Sequence, residues 1–137
     1  MKSLHRLAIA LTLLGLGSCR NAPPPPQAQL IDLGSGRRME LWVMPESPAM
    51  ARKISLGPPA VRVTPEGFVT LQLSAVSAIW PLAYRIDWQD AVGMTATDPS
   101  ASAWRRLEQD SAHPVSIGAT STLRHPARAT LRLRMHH

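Results

Sequence analysis

Groups that could carry a reaction are few in this chain, and their spacing is poor for chemistry. Cys19 is the single cysteine, so no intramolecular disulfide can form. His113 and His125 each precede a proline, and His136 and His137 end the chain. No His-x-x-x-His or His–Cys spacing occurs, so no metal site is expected. There is no Gly-x-Ser-x-Gly elbow, and Gly34-Ser35-Gly36 lacks the Lys-Thr of a phosphate loop; it reads as a flexible turn. Asp90, ahead of Ala91-Val92-Gly93, is suited to cap a turn through backbone N–H groups. As an acid catalyst it would need a second carboxylate or a perturbing pocket, and Asp87 points outward with Arg85. No catalytic residue and no cofactor are therefore expected. What remains is recognition chemistry. Trp104 precedes Arg105 and Arg106, and Arg132 and Arg134 lie in the last segment. Trp and Arg are favoured at binding hot spots, so Trp104, Arg105, Arg106, Arg132 and Arg134 are the candidate partner-binding residues. The competing reading is that Trp42, Trp80 and Trp104 merely cover the ends of the fold.

The surroundings of Cys19 point to another kind of chemistry. Lys2, His5 and Arg6 form a short basic head, followed by the apolar run Leu7 to Leu16. That run is far below the roughly 20 residues of a membrane-spanning helix, but it has the length of a signal-peptide core. Small Gly17 and Ser18 come next. Leu16-Gly17-Ser18-Cys19 resembles the lipobox of bacterial lipoproteins, where the cysteine thiol is diacylated, the leader is cut before it and the new amine is acylated. The resemblance implies a signal peptide over residues 1–18 and a membrane anchor at Cys19, and several acyl chains make attachment nearly permanent. Arg20 takes the place of the aspartate that retains enteric lipoproteins at the inner membrane, which implies an outer-membrane address. A plain signal peptide with an incidental cysteine is the alternative. The four prolines from Pro23 to Pro26 favour polyproline II, a semi-rigid stalk. Residues 19–36 are accordingly read as lipidated cysteine and linker, and residues 37–137 as the folded domain.

The elements that must position these side chains are short strands. Hydrophobic residues make up 45% of the chain, enough for the core of one domain of about 100 residues. Thirteen prolines, about twice the usual share, argue against a helical bundle. The formal charge is +6. Without Lys2 and Arg6, thirteen Lys and Arg face nine Asp and Glu, about +4. Val69, Leu71, Leu73 and Ala75 alternate with polar residues, as do Leu82, Tyr84, Ile86 and Trp88, and then Ala129, Leu131, Leu133 and Met135. The first two of these runs are expected to pair as a hairpin. Arg37 to Pro45 reads as a strand, Ala60 to Val63 as another with Thr64–Gly67 as its turn, and His113 to Ala119 as a further one. Ala103 to Asp110 is either a short strand or one helical turn, and Glu46 to Pro59 is irregular. Six or seven strands at this spacing predict an all-β, antiparallel β-sandwich with an Ig-like Greek key, a small barrel being the alternative. Trp88 and Tyr84 are expected inside. Arg85 and Asp87, facing Arg132 and Arg134, are expected to form an outward ion-pair ladder.

Tyr84-Arg85-Ile86, Trp88, Asp90 and Gly93, then Trp104 and the late Arg132, form a pattern that resembles the YcfL-like family of small Gram-negative lipoproteins. The resemblance runs from Val61 to Met135. The segment Ser74 to Ala83 departs from it, and Ala28 to Pro59 has no counterpart. The family carries a domain of unknown function with no established reaction or ligand. What it implies is a β-sandwich and, through its gene neighbourhoods, envelope maintenance.

Together these readings predict a non-enzymatic, outer-membrane-anchored periplasmic lipoprotein. It would contact the membrane through lipid on Cys19 and bind another envelope protein. The alternative is a binder or carrier of an anionic envelope component such as peptidoglycan, lipopolysaccharide or lipid. A hydrolase would require a cleft with perturbed carboxylates or histidines. Nucleic acid is set aside, because export separates the protein from it.

Overall fold

The computed structural model describes residues 27–95, 103–108 and 114–137. The leader, Cys19 and the proline run lie outside them, as does the polar loop over 96–102. Nine strands and one helical turn are present among the described residues: β1 (Gln27–Gly34), β2 (Arg37–Pro45), α1 (Pro48–Ala51), β3 (Ile54–Leu56), β4 (Ala60–Val63), β5 (Val69–Ser77), β6 (Leu82–Gln89), β7 (Arg105–Leu107), β8 (Val115–Thr120) and β9 (Arg128–Met135).

They form the expected all-β sandwich. One sheet has the order β1-β2-β9-β6-β7; in the other, β5 pairs with β3, β4 and β8. β3 and β4 pair antiparallel with successive stretches of β5 and act as one edge strand. It is interrupted at Gly57-Pro58-Pro59, where proline has no N–H to give to a ladder. The pairings are antiparallel except β2 with β9, which run parallel from Glu40–Arg128 to Pro45–Leu133.

Period-two alternation builds the core. Val69, Leu71, Leu73 and Ala75 of β5 meet Leu82, Tyr84, Ile86 and Trp88 of β6 and Ala129, Leu131 and Leu133 of β9, each at most 6% exposed. Met39 and Leu41 from β2 and Ile117 from β8 complete it. Burial of each large aliphatic side chain contributes about 1.5–3 kcal/mol. Trp88 and Tyr84 are inside as expected, and the Tyr84 hydroxyl donates to the Gly118 carbonyl at 3.0 Å, tying the two sheets together.

Three expectations are corrected. β1 lies inside the segment read as linker. Gln27 to Leu33 pairs with β2 across the Gly34-Ser35-Gly36 turn, and only Ile31 is buried on its core face while Leu30 faces solvent. A strand with so little buried surface has a weak apolar signature. β5 and β6 do not form a hairpin; they belong to opposite sheets. Their link turns away at Ser77, whose hydroxyl bonds both the N–H and the carbonyl of Ile79, while the Trp80 indole donates to the Ser77 carbonyl at 2.9 Å. Each strand then covers the other's apolar face. Finally, the irregular stretch contains α1, capped by the Ser47 hydroxyl on the Met50 N–H, and β3.

Smaller expectations hold. The Asp90 carboxylate accepts from the Val92 and Met94 N–H groups at 3.0 and 2.9 Å. Thr64–Gly67 is a turn: the Gly67 N–H donates to the Thr64 carbonyl. Gly67 has φ +94, and the His125 ring lies where a Cβ would project, so only glycine fits there.

Candidate functional site

The outer face of the five-stranded sheet carries most of the residues expected to bind a partner. Along β6 the outward positions are Ala83, Arg85, Asp87 and Gln89, opposite Arg134, Arg132, Thr130 and Arg128 of β9. Arg85 and Arg132 are direct cross-strand partners, an arrangement of like charges that is destabilising on its own. Asp87 resolves it. Its carboxylate accepts from Arg132 Nε at 2.7 Å and from Arg85 Nη2 at 3.2 Å. Arg85 Nε lies 2.9 Å from the other carboxylate oxygen, close enough for an ion pair but off the axis of a hydrogen bond, so that buried N–H has no hydrogen-bond partner. The Asp87 side chain is only 16% exposed, which makes this a half-buried triad rather than a solvated surface pair.

Trp104 stacks on this lattice. The Arg134 guanidinium is 4.1 Å from its ring centroid and that of Arg85 is 5.1 Å away, both in cation–π range. Arg106 lies opposite Ala83, on the far side of β6 from Arg134, and pairs only loosely with exposed Glu108 at 3.5 Å. Arg105 is the exception among the expected residues. It is opposite Tyr84, on the other side of β7, and reaches the Gly118 carbonyl at 3.4 Å. Alternation along β7 dictates this: two adjacent arginines cannot share one face of a strand. The structure therefore brings together Trp104, Arg106, Arg132 and Arg134, and sets Arg105 apart. Arg85 joins the group. The sequence showed it only as an ion-pair partner, and its stacking on Trp104 is a contact between segments that no local pattern encodes.

A second aromatic–cation unit lies further along the same face. Arg128 covers the Trp42 ring at 5.1 Å and donates from Nε to Glu40 at 3.1 Å, while the Trp42 indole donates to the same Glu40 oxygen at 2.8 Å. The indole hydrogen bond, opposed by loss of solvation and helped by Arg128, holds the Glu40 carboxyl below its ordinary value. Among the described residues no three His, Cys, Asp or Glu side chains gather as metal ligands would.

The arrangement can hold flat, anionic or carbonyl-rich surfaces, with guanidinium groups in fixed positions and an aromatic plate between them. No protein-family model and no curated protein matches the chain. Two solved structures share its fold. Campylobacter jejuni cj0090 superposes with a TM-score of 0.53 and 14% identity, over 69% of this chain and 97% of that one. A DUF1425 family member from Shewanella sp. pv-4 gives 0.50 and 17% identity, over 82% of this chain and 93% of that one. DUF1425 denotes a domain of unknown function. At such identity the likeness concerns the fold alone.

Proposed function

We propose that this chain is a non-enzymatic accessory lipoprotein of the cell envelope, related to the YcfL-like family. In this reading the leader over 1–18 is removed, Cys19 carries lipid into the outer membrane, and the sandwich docks a periplasmic protein through its Arg–Trp face. One observation carries the docking role: Trp104 clasped by Arg134 and Arg85 on a lattice fixed by Asp87. A preordered aromatic–guanidinium surface loses little side-chain freedom on binding, which is how hot spots gain affinity.

The test is affinity capture from crosslinked envelopes, read by mass spectrometry, with wild type, Cys19→Ala, Trp104→Ala and Arg134→Gln compared. One envelope protein should be enriched, lost with Cys19→Ala and reduced about tenfold by either face variant, as expected of a hot-spot residue. Capture indifferent to Trp104 and Arg134 would remove the docking role. A second reading is favoured by the excess of Arg85, Arg106, Arg132 and Arg134 over Asp87 and Glu108 on this face: an anionic envelope polymer or lipid as ligand. Recovery of glycan or lipid instead of protein, weakening steeply with salt, would select it.

A further inference from the structure

A second feature lies away from the Arg–Trp face. Where β1 and β2 of one sheet and β3 of the other part company, a half-open cleft of about 590 Å³ enters the sandwich beneath α1. Leu41, Leu73 and Leu133, core residues at most 5% exposed, also line it. Val43, Ile54 and Leu56 contribute further aliphatic side chains. No aromatic residue is among the lining residues. The surface is aliphatic, which suits a flexible alkyl chain better than a planar ring. Its size falls within the roughly 300–1,000 Å³ of small-molecule sites. At the roughly 30 Å³ taken up by a water-sized group, it holds about twenty methylenes.

One cation belongs to the lining. Arg52, the residue that ends α1, is exposed and makes no ion pair among the described residues. An apolar slot with a single guanidinium on its wall complements an amphiphile with one anionic head and one chain. We infer that this cleft binds a long-chain fatty acid, its alkyl chain lying over Leu41, Leu73 and Leu133 and its carboxylate meeting Arg52. The inference is independent of the docking role, since neither Trp104 nor Arg134 takes part.

The test uses the full chain in native membranes, exposed to a diazirine-bearing hexadecanoate, irradiated and digested. Adducts should map to Leu41–Val43 and Ile54–Leu56 and should be displaced by unlabelled hexadecanoate. Displacement by shorter fatty acids should weaken about fourfold for each methylene removed. Ala51→Trp, which places an indole in the cleft from exposed α1, should abolish these adducts at unchanged melting temperature. Arg52→Glu should lower them about tenfold while leaving labelling by the matching diazirine alcohol intact. Unsaturable labelling spread over the surface would overturn the inference. So would equal effects of Arg52→Glu on acid and alcohol probes. Cleft labelling that appears only in Cys19→Ala would show the protein's own anchor chain as the occupant, and would overturn it as well.

Discussion

The two outer faces of the sandwich are built on the same alternation and differ in everything the outward residues do. On the five-stranded sheet the outward side chains are long and charged, and they hold one another: Arg85, Asp87 and Arg132 interlock, and Trp104 and Trp42 lie against Arg134 and Arg128. On the sheet built around β5 most are short and uncharged, with Arg62 opposite Thr70 the charged exception. Gln72, Ser74 and Ser116 are exposed, and the Thr70 and Thr120 hydroxyls meet across the strands at 3.0 Å. Both faces satisfy the fold equally, because folding asks only that the opposite side of each strand be apolar. The charged lattice is therefore more than the alternation alone requires, and it is where a binding role is to be sought.

That contrast can be broken most sharply at Asp87. Asp87→Ala leaves Arg85 and Arg132 facing each other half-buried, and should destabilise the domain by about 2 kcal/mol. Urea unfolding measures it, and a loss below a few tenths would mean that the lattice is only decoration. Next, Trp104→Ala removes two cation–π contacts and should cost about 1 kcal/mol. The same substitution should leave Arg85 and Arg134 more mobile in NMR relaxation.

A subtler effect concerns Glu40. Because its folded pKa is lowered, the stabilisation it supplies is complete above the ordinary glutamate pKa and disappears as pH falls through the lower folded value. Its carboxyl carbon should titrate below the ordinary glutamate range, and Trp42→Phe should move the midpoint back up; an unmoved midpoint would assign the shift to Arg128 alone. The smallest effects belong to the other face. Gln72→Ala and Ser74→Ala should each change stability by under about 0.5 kcal/mol and leave partner capture unchanged. A large effect from either would erase the distinction between the faces.

Much of this architecture is legible in the sequence where it is local. β5, β6 and β9 announce themselves by strict alternation, and so does the outward placement of Arg85, Asp87, Arg132 and Arg134. The signal fails where geometry is non-local. A four-residue link between β5 and β6 has the length of a hairpin loop or of a sheet-to-sheet crossing, and only the packed core selects the crossing. β1 buries little, and prolines around α1 and β3 disguise them as loop. Arg105 and Arg106 read as one cluster until β7 is known to be extended, whereupon they must diverge. The cleft leaves no trace at all, since its lining comes from six separate elements.

The parallel pairing of β2 with β9 also sets a direction for the molecule. Gln27 is opposite Val43, which is opposite Leu131, and Pro45 is opposite Leu133. The start of β1 and the end of β9 thus emerge at one pole, together with Arg134 and its neighbour Ala83. The Gly34–Gly36 and Asp90–Gly93 turns occupy the other. With the proposed tether at Cys19, the Arg134 end stands nearest the bilayer and those two turns point furthest from it. A label placed in either turn would then read the height of the domain above its membrane.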